Sequence, residues 1–354
     1  SRNGQFSEEP LERRFHQHVA EALSRGLGIR RLYSHQECAS RAAMEGKNVI
    51  VTTPTASGKS VCYNAPVLHF LVENPGACAL YMFPTKALAQ DQFRTLQVLC
   101  KHVPGIDSTM HIGVYDGDTP CDARNQLTEH ARILICNPDI IHCTILPRHK
   151  QFQRFFSGLK FIVLDEAHAY RGIFGSHVSL VLRRLRRVMD KVYDVQPGFF
   201  VSSATIANSL AHAQNLTGLV DWTLVKDSGS PCGQKTFLLW NPPSKHHAAS
   251  KKTKKTSTAL EGKATGNGKA PALTQCGELS EAYEATRARQ LQKREKRKAE
   301  ERASPQTRRL SPIVEIAMLF AECVQHGLKV IVFCGTRKLS ELVLSHAREK
   351  LRLM

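Results

Sequence analysis

Thr53-Pro-Thr-Ala-Ser-Gly-Lys-Ser60 is the stretch on which the fold turns. It follows the apolar run Asn48-Val-Ile-Val-Thr52, which reads as a buried β-strand. It leads into Val61-Cys-Tyr-Asn-Ala-Pro-Val-Leu-His-Phe-Leu71, a helix with one proline irregularity. Strand, tight Gly/Ser loop and helix start are the context of a phosphate-binding loop, with Thr55, Ala56, Ser57 and Gly58 supplying the turn. Backbone N–H groups at the helix N-terminus would cradle the β-phosphate. Lys59 would reach the β- and γ-phosphates, and Ser60 would hold Mg²⁺. The spacing is a shortened form of the usual pattern, with Thr53 rather than Gly six positions before Lys59. A strand–turn–helix corner with a surface lysine is the competing reading.

A second stretch, Phe161-Ile-Val-Leu-Asp-Glu-Ala-His168, sets two acids directly after another apolar strand. Asp165 at the strand end suits Mg²⁺, directly or through water. Glu166 beside it can orient the water that attacks the γ-phosphate. Two strand-end motifs with complementary tasks make an ATP-hydrolysing core, with ATP and Mg²⁺ as its cofactors, the expectation.

The 354 residues suit two domains, and 42% apolar content can fill their cores. The net charge of +18 favours a polyanionic partner, nucleic acid before an anionic membrane. No run of eighteen apolar residues is present, so no membrane span is expected. The first ten residues lack a hydrophobic leader core, and a chain that starts at Ser1 reads as a processed or partial product. Eleven scattered cysteines form no C-x-x-C pair, so zinc is not expected and free thiols in a reducing compartment are.

In chain order, residues 1–30 read as a peripheral helix with apolar positions 11, 15, 19 and 23. Residues 32–46 form a second helix, with Ser34 as N-cap and Glu37 as its capping-box partner. Gln36 near its start could read an adenine edge, or be a surface glutamine. The strand at 78–83 feeds Pro84-Thr-Lys-Ala-Leu-Ala-Gln90, where Thr85 and Lys86 are candidate contacts to a nucleic-acid backbone. The strand at 131–136 ends in a similar elbow, Asn137-Pro-Asp139. Such elbows at strand C-termini face the binding crevice of an open α/β sheet. Residues 177–189 form a basic helix whose buried face is 178, 181, 182, 185 and 188. The strand at 199–205 ends in Ser203-Ala-Thr205, a candidate link between the nucleotide site and a second domain. Residues 235–240 and 329–334 read as strands, the latter buried. Between them, residues 244–309 carry 17 Lys or Arg against 7 Glu, a net of +10. That segment reads as a basic disordered insertion with a charged helix over 278–303, suited to loose DNA or RNA binding, nuclear import or plain solvation.

These residues together resemble superfamily 2 helicases of the DEAD/DEAH-box type. Within them they resemble the Hrq1, or RecQ4-like, branch of ATP-dependent DNA helicases. The matching motifs are Thr55-Ala-Ser-Gly-Lys-Ser60, Pro84-Thr-Lys-Ala-Leu-Ala-Gln-Asp-Gln92, Asn137-Pro-Asp139, Asp165-Glu-Ala-His168, Ser203-Ala-Thr205 and Phe333-Cys-Gly-Thr-Arg-Lys338. Branch-like detail comes from Tyr115-Asp-Gly-Asp-Thr-Pro120, Ile145-Leu-Pro147, Ser230-Pro-Cys-Gly233 and Leu239-Trp-Asn-Pro-Pro243. The resemblance implies an α/β, RecA-like P-loop core with a parallel sheet between helices over residues 31–230. It also implies a truncated second RecA-like domain over 231–243 and 310–354. It implies Lys59, Asp165, Glu166 and His168 as catalytic residues, with Gln36 and residues 55–60 holding the nucleotide. Pro84, Thr85, Lys86, Asn137, Pro138 and Asp139 would meet the strand, and Ser203, Ala204 and Thr205 would couple the sites. The implied activity is ATP-driven 3′-to-5′ movement on single-stranded DNA with duplex unwinding, in nuclear DNA repair. The later second-core motifs and the cysteine-rich tail of that branch are not among these residues, so a truncated product or fragment is expected. A non-catalytic nucleic-acid-binding module and an RNA helicase are the alternatives.

Overall fold

Strands that are apolar at every position must be covered on both faces, and the first unit is built that way. A computed structural model describes residues 2–106, 111–240 and 311–353. The chain divides into two units, Ser1–Lys235 and Thr236–Met354. The first contains α1 (Leu11–Arg14), α2 (Gln17–Glu21), α3 (Ser34–Met44), β1 (Val49–Val51), α4 (Lys59–Glu73), β2 (Cys78–Met82) and α5 (Lys86–Cys100). It continues with β3 (Ile112–Val114), α6 (Cys121–His130), β4 (Ile133–Cys136), α7 (Pro138–Ile140), α8 (Gln153–Ser157) and β5 (Leu159–Leu164). It closes with α9 (Gly172–Val188), β6 (Gly198–Ser202), α10 (Ser209–Thr217) and β7 (Thr223–Val225).

The seven strands form one parallel sheet in the order β3-β4-β2-β5-β6-β1-β7. Alternate residues feed two separate cores. Val49, Val51, Ala79, Tyr81, Val163 and Phe200 pack with α3, α4 and α5 on one face. Ile50, Leu80, Met82, Ile162, Leu164 and Val201 pack with α8, α9 and α10 on the other. The α/β, RecA-like expectation is the observed architecture: a parallel sheet between two helical layers. Because all strands run the same way, every strand C-terminus lies on one edge.

The N-terminal stripe is placed as expected but not as one helix. Leu11, Phe15, Val19 and Leu23 are buried in the same core as α3 and α4. The helix breaks at Phe15 and His16, which are not helical: the His16 N–H donates to His69 Nδ1 at 2.9 Å, and the His16 ring accepts from the His18 N–H at 3.3 Å. At α3 the cap differs from the Ser34–Glu37 expectation. Tyr33 is the N-cap, and its N–H donates to Gln36 Oε1 at 2.9 Å. α4 runs unbroken through Pro66, as a helix buried along most of its length.

In the second unit, α11 (Pro312–Gln325) and α12 (Arg337–Leu353) pack through small residues, Ala317, Ala321 and Ala347, with Val343. The strands expected at 235–240 and 329–334 are irregular and largely exposed, with Leu239 fully exposed and Phe333 90% exposed. An apolar run becomes a strand only beside a partner ladder, and among the described residues neither run has one. The basic insertion at 244–309 and its charged helix lie outside the described residues.

Candidate active site

The sheet registers bring the expected motifs to one edge. The Ser203 N–H donates to the Val51 carbonyl at 3.0 Å, which sets the end of β6 beside the start of the loop at 53–60. The Asp165 N–H donates to the Met82 carbonyl at 3.1 Å, and the Phe83 N–H to the Cys136 carbonyl at 3.0 Å. Thus β1, β6, β5, β2 and β4 deliver residues 53–60, Ser203, Asp165, Pro84 and Asn137 side by side.

The loop is held from inside. Thr53 Oγ1 and Ser57 Oγ, both buried, are hydrogen-bonded at 2.6 Å. Ala56 and Gly58 are left-handed, with φ of 60° and 79°. A Cβ at Gly58 would stand 2.6 Å from Gln36 Nε2, so glycine is required there on two counts. The N-terminus of α4 opens at Lys59, where the first backbone N–H groups have no partner within the helix. The Lys59 ammonium lies back across the loop, donating to the carbonyls of Thr53 at 3.1 Å and Pro54 at 3.0 Å. Thr55 is exposed, and Ser60 half-buried, in the first turn.

Gln36 is buried, and both ends of its amide are engaged. Oε1 accepts from Tyr33, and Nε2 donates to the Gly58 carbonyl at 3.0 Å. In this geometry it braces the loop. Beside it, His35 also ties the loop, through its two ring nitrogens. Its Nε2 meets the Ser57 carbonyl at 3.1 Å, and its Nδ1 accepts from the Gly229 N–H at 3.1 Å. With Nδ1 accepting, the ring proton belongs on Nε2. Burial lowers the His35 pKa to about 4, against the smaller raising effect of the Ser57 hydrogen bond.

The second motif is equally constrained. Glu166 has φ of 50°, a costly conformation for a residue with a Cβ. Among the described residues only Ala56, Glu166 and Asp194 are non-glycine with positive φ, and two of the three lie in this site. Asp165 Oδ1 accepts from the Glu166 N–H and Oδ2 from the Tyr63 hydroxyl, each at 2.9 Å. Burial holds the Tyr63 pKa well above the usual phenol value, so the hydroxyl is a donor. His168 Nδ1 stands 3.1 Å from Glu166 Oε2 and 3.3 Å from the Ala204 N–H. That ring joins the acid pair to Ser203-Ala-Thr205. Ser203 is buried, Ala204 half-buried and Thr205 exposed.

The strand-contact candidates occupy the neighbouring elbows. Thr85 caps α5, its Oγ1 accepting from the Leu88 N–H at 3.3 Å. Asn137 caps α7, its Oδ1 accepting from the Ile140 N–H at 2.9 Å. Lys86 is exposed and paired with Asp118. Pro84 is half-buried, Pro138 buried and Asp139 exposed. The caps use Thr85 Oγ1 and Asn137 Oδ1 as acceptors, which leaves the Thr85 hydroxyl proton and the Asn137 amide N–H groups as donors of this surface, beside a Lys86 engaged with Asp118.

The donor set fits Mg²⁺. Asp165 and Ser60 are oxygen ligands of the kind a hard cation takes, in small number, as expected where phosphate and water complete the shell. Among the described residues no group of three or more His, Cys, Asp or Glu side chains gathers. Sequence reading missed Tyr63 and His35. Tyr63 stands four residues after Lys59, on the same helix face, and that spacing was the available signal.

A family profile for DEAD/DEAH box helicases matches residues 33–213. The chain is 40% identical over 226 residues to the ATP-dependent helicase HRQ1 of Saccharomyces cerevisiae, covering 64% of this chain and 21% of that protein. It is 44% identical over 234 residues to the uncharacterized ATP-dependent helicase YprA of Bacillus subtilis, covering 66% of this chain and 30% of that one. The chain thus spans less than a third of the length of these relatives. Among solved structures, the DUF1998 helicase MrfA bound to DNA and AMPPNP superposes with a TM-score of 0.76 at 33% identity, over 99% of this chain and 40% of that chain. No described helix is long and apolar enough to cross a membrane.

Proposed function

We propose that this chain, which belongs to the DEAD/DEAH box helicase family, binds ATP with Mg²⁺ on its first unit and uses its hydrolysis to drive movement along DNA. The observation that carries the proposal is the meeting of Lys59, Ser60, Asp165, Glu166 and Ser203 on one sheet edge. The DNA-bound MrfA structure supports DNA as the polymer. A 3′-to-5′ polarity and a part in nuclear DNA repair belong to the same proposal, as what the motif resemblance to the Hrq1 branch implies.

Each residue has a task that its surroundings explain. Lys59 exchanges two loop carbonyls for phosphate oxygens, a better partner for an ammonium. The loop amides, fixed by the Thr53–Ser57 and Gln36–Gly58 hydrogen bonds, donate to the same phosphates without reorganising. Ser60 and Asp165 would hold Mg²⁺, which neutralises charge on the transferred phosphoryl group when bound. Glu166 orients the attacking water, and His168, whose Nδ1 lies within reach of both the Glu166 carboxylate and the Ala204 N–H, bonds one of them at a time. The strand lies across the elbows at Pro84–Lys86 and 137–139, gripped by its backbone.

The test is a titration with a fluorescent ATP analogue, alongside ATP turnover with single-stranded DNA. Lys59→Ala should lose most nucleotide affinity. Glu166→Gln should keep that affinity and lower turnover by at least about 100-fold. Equal nucleotide affinity in wild type and K59A would overturn the proposal. Displacement from 3′-tailed and 5′-tailed duplexes then decides polarity.

A further inference from the structure

The carboxylate of Asp165 is held at both oxygens, and one of its holders comes from the phosphate-binding helix. Tyr63 is fully buried and stands one helical turn beyond Lys59 on α4. Its hydroxyl donates to Asp165 Oδ2 at 2.9 Å. A second acceptor, Gln92 Oε1 on α5, lies 3.4 Å away on the other side. A phenol has one proton to give. It goes to the nearer and charged acceptor, because a hydrogen bond to a carboxylate is the stronger of the two. With Oδ1 taken by the Glu166 N–H, the Tyr63 bond fixes the remaining rotation of the carboxylate.

We propose that Tyr63 is a positioning residue for the metal-binding carboxylate, setting the orientation of Asp165 from the same helix that carries Lys59 and Ser60. The proposal rests on Asp165 being the Mg²⁺ ligand. Its physical content is preorganisation. Ser60 and Asp165 come from separate elements, α4 and the end of β5, and a shared cation needs both oxygens in place before it arrives. Tyr63 is the side chain that ties those two elements together at the site. The competing account is packing alone, since the Tyr63 ring stands edge-on to Tyr81 and Phe200, each at 5.6 Å. Phenylalanine keeps that ring packing and removes only the hydroxyl, so Tyr63→Phe separates the two accounts.

The experiment titrates a fluorescent ATP analogue into the full chain, first in EDTA and then at rising Mg²⁺. Tyr63→Phe should bind the analogue in EDTA within about twofold of wild type. The Mg²⁺ concentration that gives half the metal-dependent gain should rise about tenfold, the usual scale for losing a partner of a metal ligand. An unchanged Mg²⁺ midpoint, or an equal weakening with and without Mg²⁺, would overturn the proposal. Asp165→Asn, run in parallel, distinguishes the levels. If it shifts the midpoint while Tyr63→Phe does not, Tyr63 has no positioning role. If Asp165→Asn leaves the midpoint unmoved, the assignment of Asp165 as ligand falls, and the proposal falls with it.

Discussion

His35 shows how one buried side chain can carry a pH dependence into a nucleotide-binding loop. Its two nitrogens tie the Ser57 carbonyl to the Gly229 N–H, and only the neutral ring can do both. Its pKa is lowered from 6.5 to about 4, mainly by burial. Above pH 6.5 the folded and unfolded chains both hold a neutral ring, so this contribution to stability is complete. As pH falls from 6.5 toward 4, the unfolded chain takes up a proton that the folded chain refuses, and stability declines by on the order of 2–3 kcal/mol. His35→Asn offers an amide oxygen for Gly229 and has no proton to gain. Urea unfolding at pH 7 and at pH 4.5 should show a smaller acid loss in the variant than in wild type, and equal losses would refute the assignment. Neither tie is legible in the sequence, because Gly229 lies 194 positions away and no local pattern announces it. Lys59, Ser60, Asp165 and Glu166 are legible, because their chemistry depends on neighbours within a few residues of each. Gln36 falls between the two cases: its place before the loop is readable, but its use as a brace on the Gly58 carbonyl is not.

Among the elements, α4 ends on a residue from a distant strand. The guanidinium of Arg132, at the start of β4, donates to the carbonyls of Leu71, Asn74 at 2.8 Å and Ala77 at 3.3 Å. The first two belong to the last turn and the cap of α4, where carbonyls lack partners within the helix and a cation is favoured. Arg132 is 8% exposed, so water cannot take its place readily. Arg132→Met should therefore cost about 2–4 kcal/mol, read as a lower urea midpoint at unchanged slope, with nucleotide affinity of the folded protein retained. A midpoint within experimental error of wild type would show the cap to be dispensable. The elements themselves were readable to different degrees, for a common reason. β1, β2, β4 and β5 are apolar runs between turn signals, and each finds neighbours in the sheet. Residues 329–334 are just as apolar, yet they form no strand among the described residues. Strand formation depends on a partner as well as on composition. The first helix fails in a different way. Its apolar stripe is correct, while the break between α1 and α2 comes from His16 and His69, a contact across 53 positions.

The whole molecule carries a charge distribution that the sheet architecture alone does not explain. Of the net +18, +10 lies in residues 244–309, a segment separate in sequence from every candidate ATP-site residue. A cation-rich segment gains affinity for nucleic acid by releasing counterions from phosphates, whatever the base sequence, and that gain is steepest at low salt. The elbows at Pro84–Lys86 and 137–139 would contribute a smaller electrostatic share, since among those side chains Lys86 is the cation and it is paired with Asp118. Removing residues 244–309 should therefore weaken binding to unrelated single-stranded DNA sequences alike. The plot of log affinity against log salt should become shallower by roughly 6, the change expected if about half of its 17 cations meet phosphates of a single strand. Nucleotide affinity in the absence of DNA should not change, because Lys59 and Asp165 are held by contacts within the first unit, which also carries Ser60 on α4. Fluorescence anisotropy with two labelled oligonucleotides, from about 50 to about 200 mM salt, measures the slope directly. An unchanged slope would reduce the segment to a solvated spacer and move the nucleic-acid affinity of the chain back onto its strand-end elbows. A shallower slope with intact nucleotide binding would separate the two tasks, leaving non-specific capture of the polymer to the basic segment and chemistry to the sheet edge.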